Sequence, residues 1–170
     1  MTTNTRGFSL IEILVVVAII ALVGTFASVA VNSARSKQRD ATRLSNVRLL
    51  QSALEDYFNE SNSYPLGDQM PLGDISQSAC LSLGGFHADC SADSAVFLRM
   101  VPATYADGLK GKVTCGQPAR NAFCYTQVKT GEAYAIQFEL ENALPSVGLQ
   151  KGMNCAIPNG MQAGLCPVVE

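Results

Sequence analysis

Glu12 is the only charged side chain between Arg6 and Arg35, and it sits near the start of the apolar run "RGFSLIEILVVVAII". A carboxylate without a partner in an apolar setting is costly and demands a counter-charge or a proton. Six cysteines, Cys80, Cys90, Cys115, Cys124, Cys155 and Cys166, all follow that run and contain no CxxC pair. An even count in a small domain reads as disulfide chemistry on an oxidising side of a membrane. The lone histidine, His87, has no nucleophile motif beside it, and neither G-x-S-x-G nor a P-loop occurs. Cys80, His87 and Cys90 do not have a standard zinc spacing. These residues point to no catalysis, no metal and no cofactor. Their chemistry is cross-linking and the placement of one acid.

The elements that must position them follow from hydropathy. Residues 13–34 contain no charged side chain, and these 22 positions span roughly 33 Å as a helix, enough to cross the hydrocarbon core of a bilayer. After Asn32 the pattern becomes amphipathic. Ala41, Leu44, Val47, Leu50, Leu54 and Tyr57 recur at spacings of three and four, one face of a helix, while Arg39, Arg43, Asn46, Gln51, Glu55 and Asn59 fall on other faces. "NESNSYP" stops the helix, because Asn and Ser favour turns and the residue before Pro65 avoids the α region. From Phe8 to Glu60 one continuous helix of roughly 80 Å is expected.

Residues 61–120 read as loop-rich, with "PLGDQMPLGD" a tandem of turn-like units and a short helix or strand within "DSAVFLRMVPATYADG". Tyr134, Ile136, Phe138 and Leu140 alternate with more polar neighbours, which predicts a half-buried strand, and "KTGE" makes the turn of a hairpin with "FCYTQV". The expected architecture is α+β: a long helix, its amphipathic half packed on a small antiparallel sheet. Six cysteines allow 15 pairings. Three short loops, 80–90, 115–124 and 155–166, are the local solution, and six reduced thiols in a cytosolic domain are the alternative.

The formal charge is −2 and the pI about 5.4, which argues against nucleic acid as a primary partner. Along the helix Arg35, Lys37, Arg39, Arg43 and Arg48 precede Glu55, Asp56 and Glu60, the reverse of what an isolated helix dipole prefers. Two readings stand side by side. Staggered copies of the helix bring basic and acidic stretches together, or the bases form a solvated face meeting lipid headgroups. By Lys and Arg count alone the flank after the apolar run belongs in the cytoplasm; the cysteines place it outside.

The first seven residues, "MTTNTRG", carry one base, Arg6, and lead into an apolar stretch longer than that of an ordinary secretory signal. "FASVA" at 26–30 is only a loose cleavage site. "RGFSLIEILVVVAIIALVG" resembles the class III signal of type IV pilins and type II secretion pseudopilins: a short basic leader ending in Gly7, then Phe8, a Glu as fifth mature residue at Glu12, and an unbroken apolar run. "NSARSKQRDATRLSNVRLLQSALEDYFNESNSYP" is similar to the second half of the long pilin helix. The two stretches cover residues 1–65.

The resemblance implies a pilin fold. It consists of a cleaved leader 1–7, a membrane and assembly half-helix 8–34, an amphipathic half-helix 35–62 and a disulfide-containing head 63–170. It also implies a prepilin peptidase that cuts between Gly7 and Phe8, and N-methylation of Phe8. Glu12 then pairs with a neighbour's N-terminus. The partners are other pilin or pseudopilin subunits and, indirectly, an assembly platform and ATPase. The precursor spans the cytoplasmic membrane once with its head on the external or periplasmic side, before entering a pilus or pseudopilus. By resemblance, Asp68 and Asp74 invite a calcium reading, although no EF-hand spacing exists. One departure is the absence of any proline before Pro65, where many members carry one near the position of Val29; Gly24–Thr25 is the only weak point. The alternative function is a single-pass anchored extracellular binding domain that does not polymerise.

Overall fold

The computed structural model describes Gly7, residues 9–104, 108, 109, 113, 115 and 123–166. Helix α1 spans Leu10–Ser61. The chain forms two compact units, Met1–Ser36 and Lys37–Glu170.

In the first unit the helix runs without a break through Gly24 and Thr25. The threonine and serine hydroxyls that interrupt the apolar run are tied back to the helix: Thr25 Oγ1 donates to the Leu22 carbonyl at 2.7 Å and Ser28 Oγ to the Thr25 carbonyl at 2.8 Å. Each polar group is satisfied locally, so the run stays compatible with an apolar environment.

In the second unit, α1 lies on an antiparallel sheet. Its strands are β1 (Met70–Leu72), β5 (Phe123–Val128), β6 (Ala133–Leu140), β7 (Gly152–Ile157) and β8 (Gly160–Ala163), side by side in that order. A smaller sheet holds β2 (Cys80–Ser82) between β3 (Gly85–His87) and β4 (Val96–Leu98). The hairpin expected from "FCYTQV" and "KTGE" is β5–β6, with Val128 opposite Ala133. Its turn docks under the helix exit, where Tyr64 N–H donates to the Gly131 carbonyl at 2.8 Å. Gly131 sits at φ +100, and a Cβ there would lie 2.9 Å from Ser63 Cβ. Only glycine serves both the left-handed backbone and the close approach.

The core joins Val47, Leu50, Leu54 and Tyr57 of α1 to Tyr125, Tyr134, Ile136, Phe138 and Leu140 of the sheet. The buried face of the helix runs 40, 43, 47, 50, 54, 57, at spacings of three and four. Two positions differ from the sequence expectation. Ala41 is exposed, and Arg43, assigned to another face, is 2% exposed in the interior. The reason is electrostatic: Asp40 and Arg43 take core positions because they bind each other and the end of β6.

Strand β6 is also buried on both faces rather than half-buried, with Ala135 and Glu139 inside as well. Its second face is covered by disulfides. The structure pairs Cys80 with Cys90, Cys115 with Cys124 and Cys155 with Cys166. Cys124, Gln137, Cys155 and Gln162 stand opposite one another across β5, β6, β7 and β8. Residues in one register row share a face. Two of the three cystines are therefore rooted in a single row on the face turned from α1. The "PLGDQMPLGD" stretch, expected as two turns, contributes β1, and the end of the loop-rich region, 105–120, lies largely outside the described residues. This is the α+β arrangement the resemblance implies: a long N-terminal helix, antiparallel sheets and disulfides.

Candidate functional site

The expected leader junction and the start of α1 form the candidate site. The Ser9 carbonyl accepts the N–H groups of Glu12 at 3.1 Å and Ile13 at 3.3 Å, and these bonds open the helix. Gly7 precedes it, exposed and outside regular structure. Phe8, the expected methylated residue and the second half of the expected cleavage pair, lies outside the described residues. Glu12 falls in the first helical turn, where the positive end of the helix dipole favours a carboxylate. It is exposed and lies four positions after residue 8, the spacing of one helical turn.

Every described side chain from Ser9 to Arg35 is exposed. Leu10 is 82% exposed and Phe26 74%. Apolar residues occupy all sides of this stretch, so the segment has no polar face to turn to water. A surface of this extent is stable only against lipid or other apolar helices. It is the one helix among the described residues long and apolar enough to cross a membrane, and it is compatible with single-pass anchoring.

Just after this stretch comes a cluster that was not foreseen. Arg39 donates through Nε and Nη2 to both carboxylate oxygens of Glu141, each at 2.7 Å. Arg43 Nη1 donates to Glu141 Oε1 at 2.7 Å and to Asp40 Oδ1 at 2.9 Å. Asp40 in turn accepts the backbone N–H groups of Glu141 and Asn142 at 2.9 and 2.8 Å, and the Asn142 side-chain amide at 2.8 Å. The fork geometry of arginine matches a carboxylate, which makes these strong charge-assisted bonds. The Arg39 hydrogen bonds hold the Glu141 carboxyl below the usual glutamate range; burial opposes them, and Arg43 adds to them.

Arg43, buried and bonded to Asp40 and Glu141, is thereby removed from the solvated face, whereas Arg39 bonds Glu141 with its side chain still 35% exposed. A signal was present: an acid and a base at 40 and 43 continue the core spacing of 47, 50 and 54.

The other candidate groups do not converge. His87 is exposed at the end of β3. Asp74 Oδ1 accepts the Ser76 N–H at 2.8 Å and hydroxyl at 2.6 Å, which lowers its pKa. Among the described residues no three His, Cys, Asp or Glu side chains form a metal-holding group.

Residues 2–28 match the family model described as the prokaryotic N-terminal methylation motif. No curated protein and no solved structure matches the chain. The matched stretch contains Gly7, Phe8 and Glu12 and ends within the exposed apolar run.

Proposed function

We propose, from the premise that this chain carries an N-terminal methylation motif consistent with a type IV pilin-like prepilin, that it is a structural subunit of a pilus or pseudopilus filament. The observation that carries the reading is the continuity of the motif at 2–28 with a helical segment apolar on every side and exposed throughout. A prepilin peptidase cuts after Gly7, and the new amine on Phe8 is methylated. Residues 8–34 hold the precursor in the cytoplasmic membrane with the disulfide-bonded head on the external side. The three cystines support that side, because disulfides form and persist in oxidising compartments and are rare in the cytosol.

The same segment then leaves lipid for a bundle of like helices, a transfer that costs little because both surroundings are apolar. Glu12 is the one group that lipid cannot satisfy. In the bundle it meets the Phe8 amine of a neighbouring copy, and the pair fixes the stagger between subunits. An assembly ATPase and a membrane platform supply the work.

N-terminal mass analysis of the chain from its membrane tests the reading. A mature form beginning at methylated Phe8 supports it; retention of residues 1–7 refutes it and favours an anchored domain that does not polymerise.

A further inference from the structure

Where β5 turns into β6, a concavity of about 320 Å³ opens on the face of the main sheet turned from α1. Val128, Ala133, Ala135, Ile157 and Pro158 give it an apolar lining. Strand residues two apart share a face, so Ala133 and Ala135 stand on the same side of β6. Their small side chains leave room between those of Val128 and Ile157. Lys129 and Glu132 add one charge of each sign to the lining, so charge does not select what fills it.

The chain itself arrives beside this concavity at Cys166. Cys166 is 8% exposed and packs with Cys155 and Ala135, and Val128 and Ile157 lie against the same cluster. Ala135, Val128 and Ile157 are also residues of the concavity. The bridge to Cys155 fixes Cys166 there covalently. Leu165, one residue earlier, is 65% exposed and leaves the space open. Pro167, Val168, Val169 and Glu170 come next and lie outside the described residues. A residue before proline is disfavoured in the α region, so Cys166 is biased to pass the chain on in extended form. Ala133 lies two residues from Ala135 along β6, roughly 7 Å at about 3.4 Å per residue. Two extended residues cover the same distance, so Val168 reaches the level of Ala133.

We infer that residues 167–170 fold back across the concavity as a strap, with Val168 and Val169 against Val128, Ala133 and Ile157. The tether decides the occupant. A segment joined to the edge of the concavity by one or two residues is present there at an effective concentration in the millimolar range, and so short a loop costs little to close. A free peptide or a second copy has to displace it. The contact lies within one copy, so it stands whether or not the chain polymerises. It takes this apolar face of the sheet out of the surface offered to neighbouring subunits.

The test places a diazirine-bearing aliphatic amino acid at position 169 of the full chain in detergent and maps the photo-adduct after reduction. The expected product links residue 169 to peptides containing 128–135 or 157–159 of the same copy. A mixture of isotope-labelled and unlabelled chain reads this directly, since an intrachain link gives no mixed product. Ala133→Trp fills the concavity and should cut the link on the order of tenfold. Val168→Asp leaves every residue of the sheet in place and should cut it by a similar factor, because an unpaired carboxylate resists burial among apolar groups. The second variant keeps the result independent of how the head tolerates tryptophan. No link, a mixed-isotope link, a link elsewhere in the chain, or a link that Val168→Asp leaves unchanged overturns the contact.

Discussion

Arg43 Nη1 donates to Glu141 Oε1 at 2.7 Å across 98 positions of sequence. The arginine is 2% exposed and the glutamate side chain 9%. The pair fastens α1 to the end of β6, and Asp40 completes it by accepting the N–H groups of Glu141 and Asn142. Removing one partner of such a cluster leaves buried charge uncompensated.

Arg43→Met is therefore expected to destabilise the head by about 3–5 kcal/mol. Urea unfolding of the full chain in detergent, followed by tyrosine fluorescence, measures it. A loss below about 1 kcal/mol would show the cluster to be energetically idle.

The same cluster sets an acid limit. The Glu141 pKa is lowered in the folded state, chiefly by its Arg39 hydrogen bonds. Its contribution is present above the unfolded value, about 4.3, and is lost as pH falls through the lower folded value. At the alkaline end burial raises the hydroxyl pKa of Tyr64, Tyr125 and Tyr134. Their neutral forms support the fold below about pH 10, and that support is lost as pH rises through the folded values. Thermal midpoints should be flat near neutrality and fall at both ends. In Glu141→Gln the acid decline should be shallower.

Glu12→Ala is expected to leave cleavage after Gly7 largely intact while abolishing filaments. Sheared surface fractions, probed for the chain beside a whole-cell mass analysis, read both outcomes at once. Normal filaments from the mutant would refute the pairing of Glu12 with a neighbour's amine.

Gly131→Ala forces a side chain into left-handed backbone and against Ser63. It should cost more than about 1 kcal/mol, whereas alanine at Gly24, with open space around it, should be neutral or favour the helix by roughly 1 kcal/mol. Unfolding midpoints of the two variants make the comparison.

The N-terminal half was legible because its signal is one-dimensional: Gly7, Phe8, Glu12 and a charge-free run need no tertiary partner to be recognised. The β5–β6 hairpin was equally plain, since "KTGE" separates two runs rich in aromatic and branched residues. What escaped depends on contacts distant in sequence. Arg43 reads as surface until Glu141 is known to lie beside it. The alternation at 134–140 reads as half-buried until the cystines are found covering the second face. Strands β2, β3 and β4 are three residues each, too short for any periodicity, and are held by their neighbours and the Cys80–Cys90 bridge.

The Cys155–Cys166 bridge has one more consequence. Strand β8 lies wholly between the two cysteines, so it sits inside a covalent ring that also contains the Pro158–Asn159 turn. An edge strand is the part of a sheet most easily peeled away or exchanged with another chain. Here both ends of the strand are covalently held to β7, through the turn and through the cystine, so it cannot leave as a free end. A protease that nicks the exposed turn releases no fragment: both new ends stay tethered at the row of Cys155, and the cut shows only when the protein is reduced.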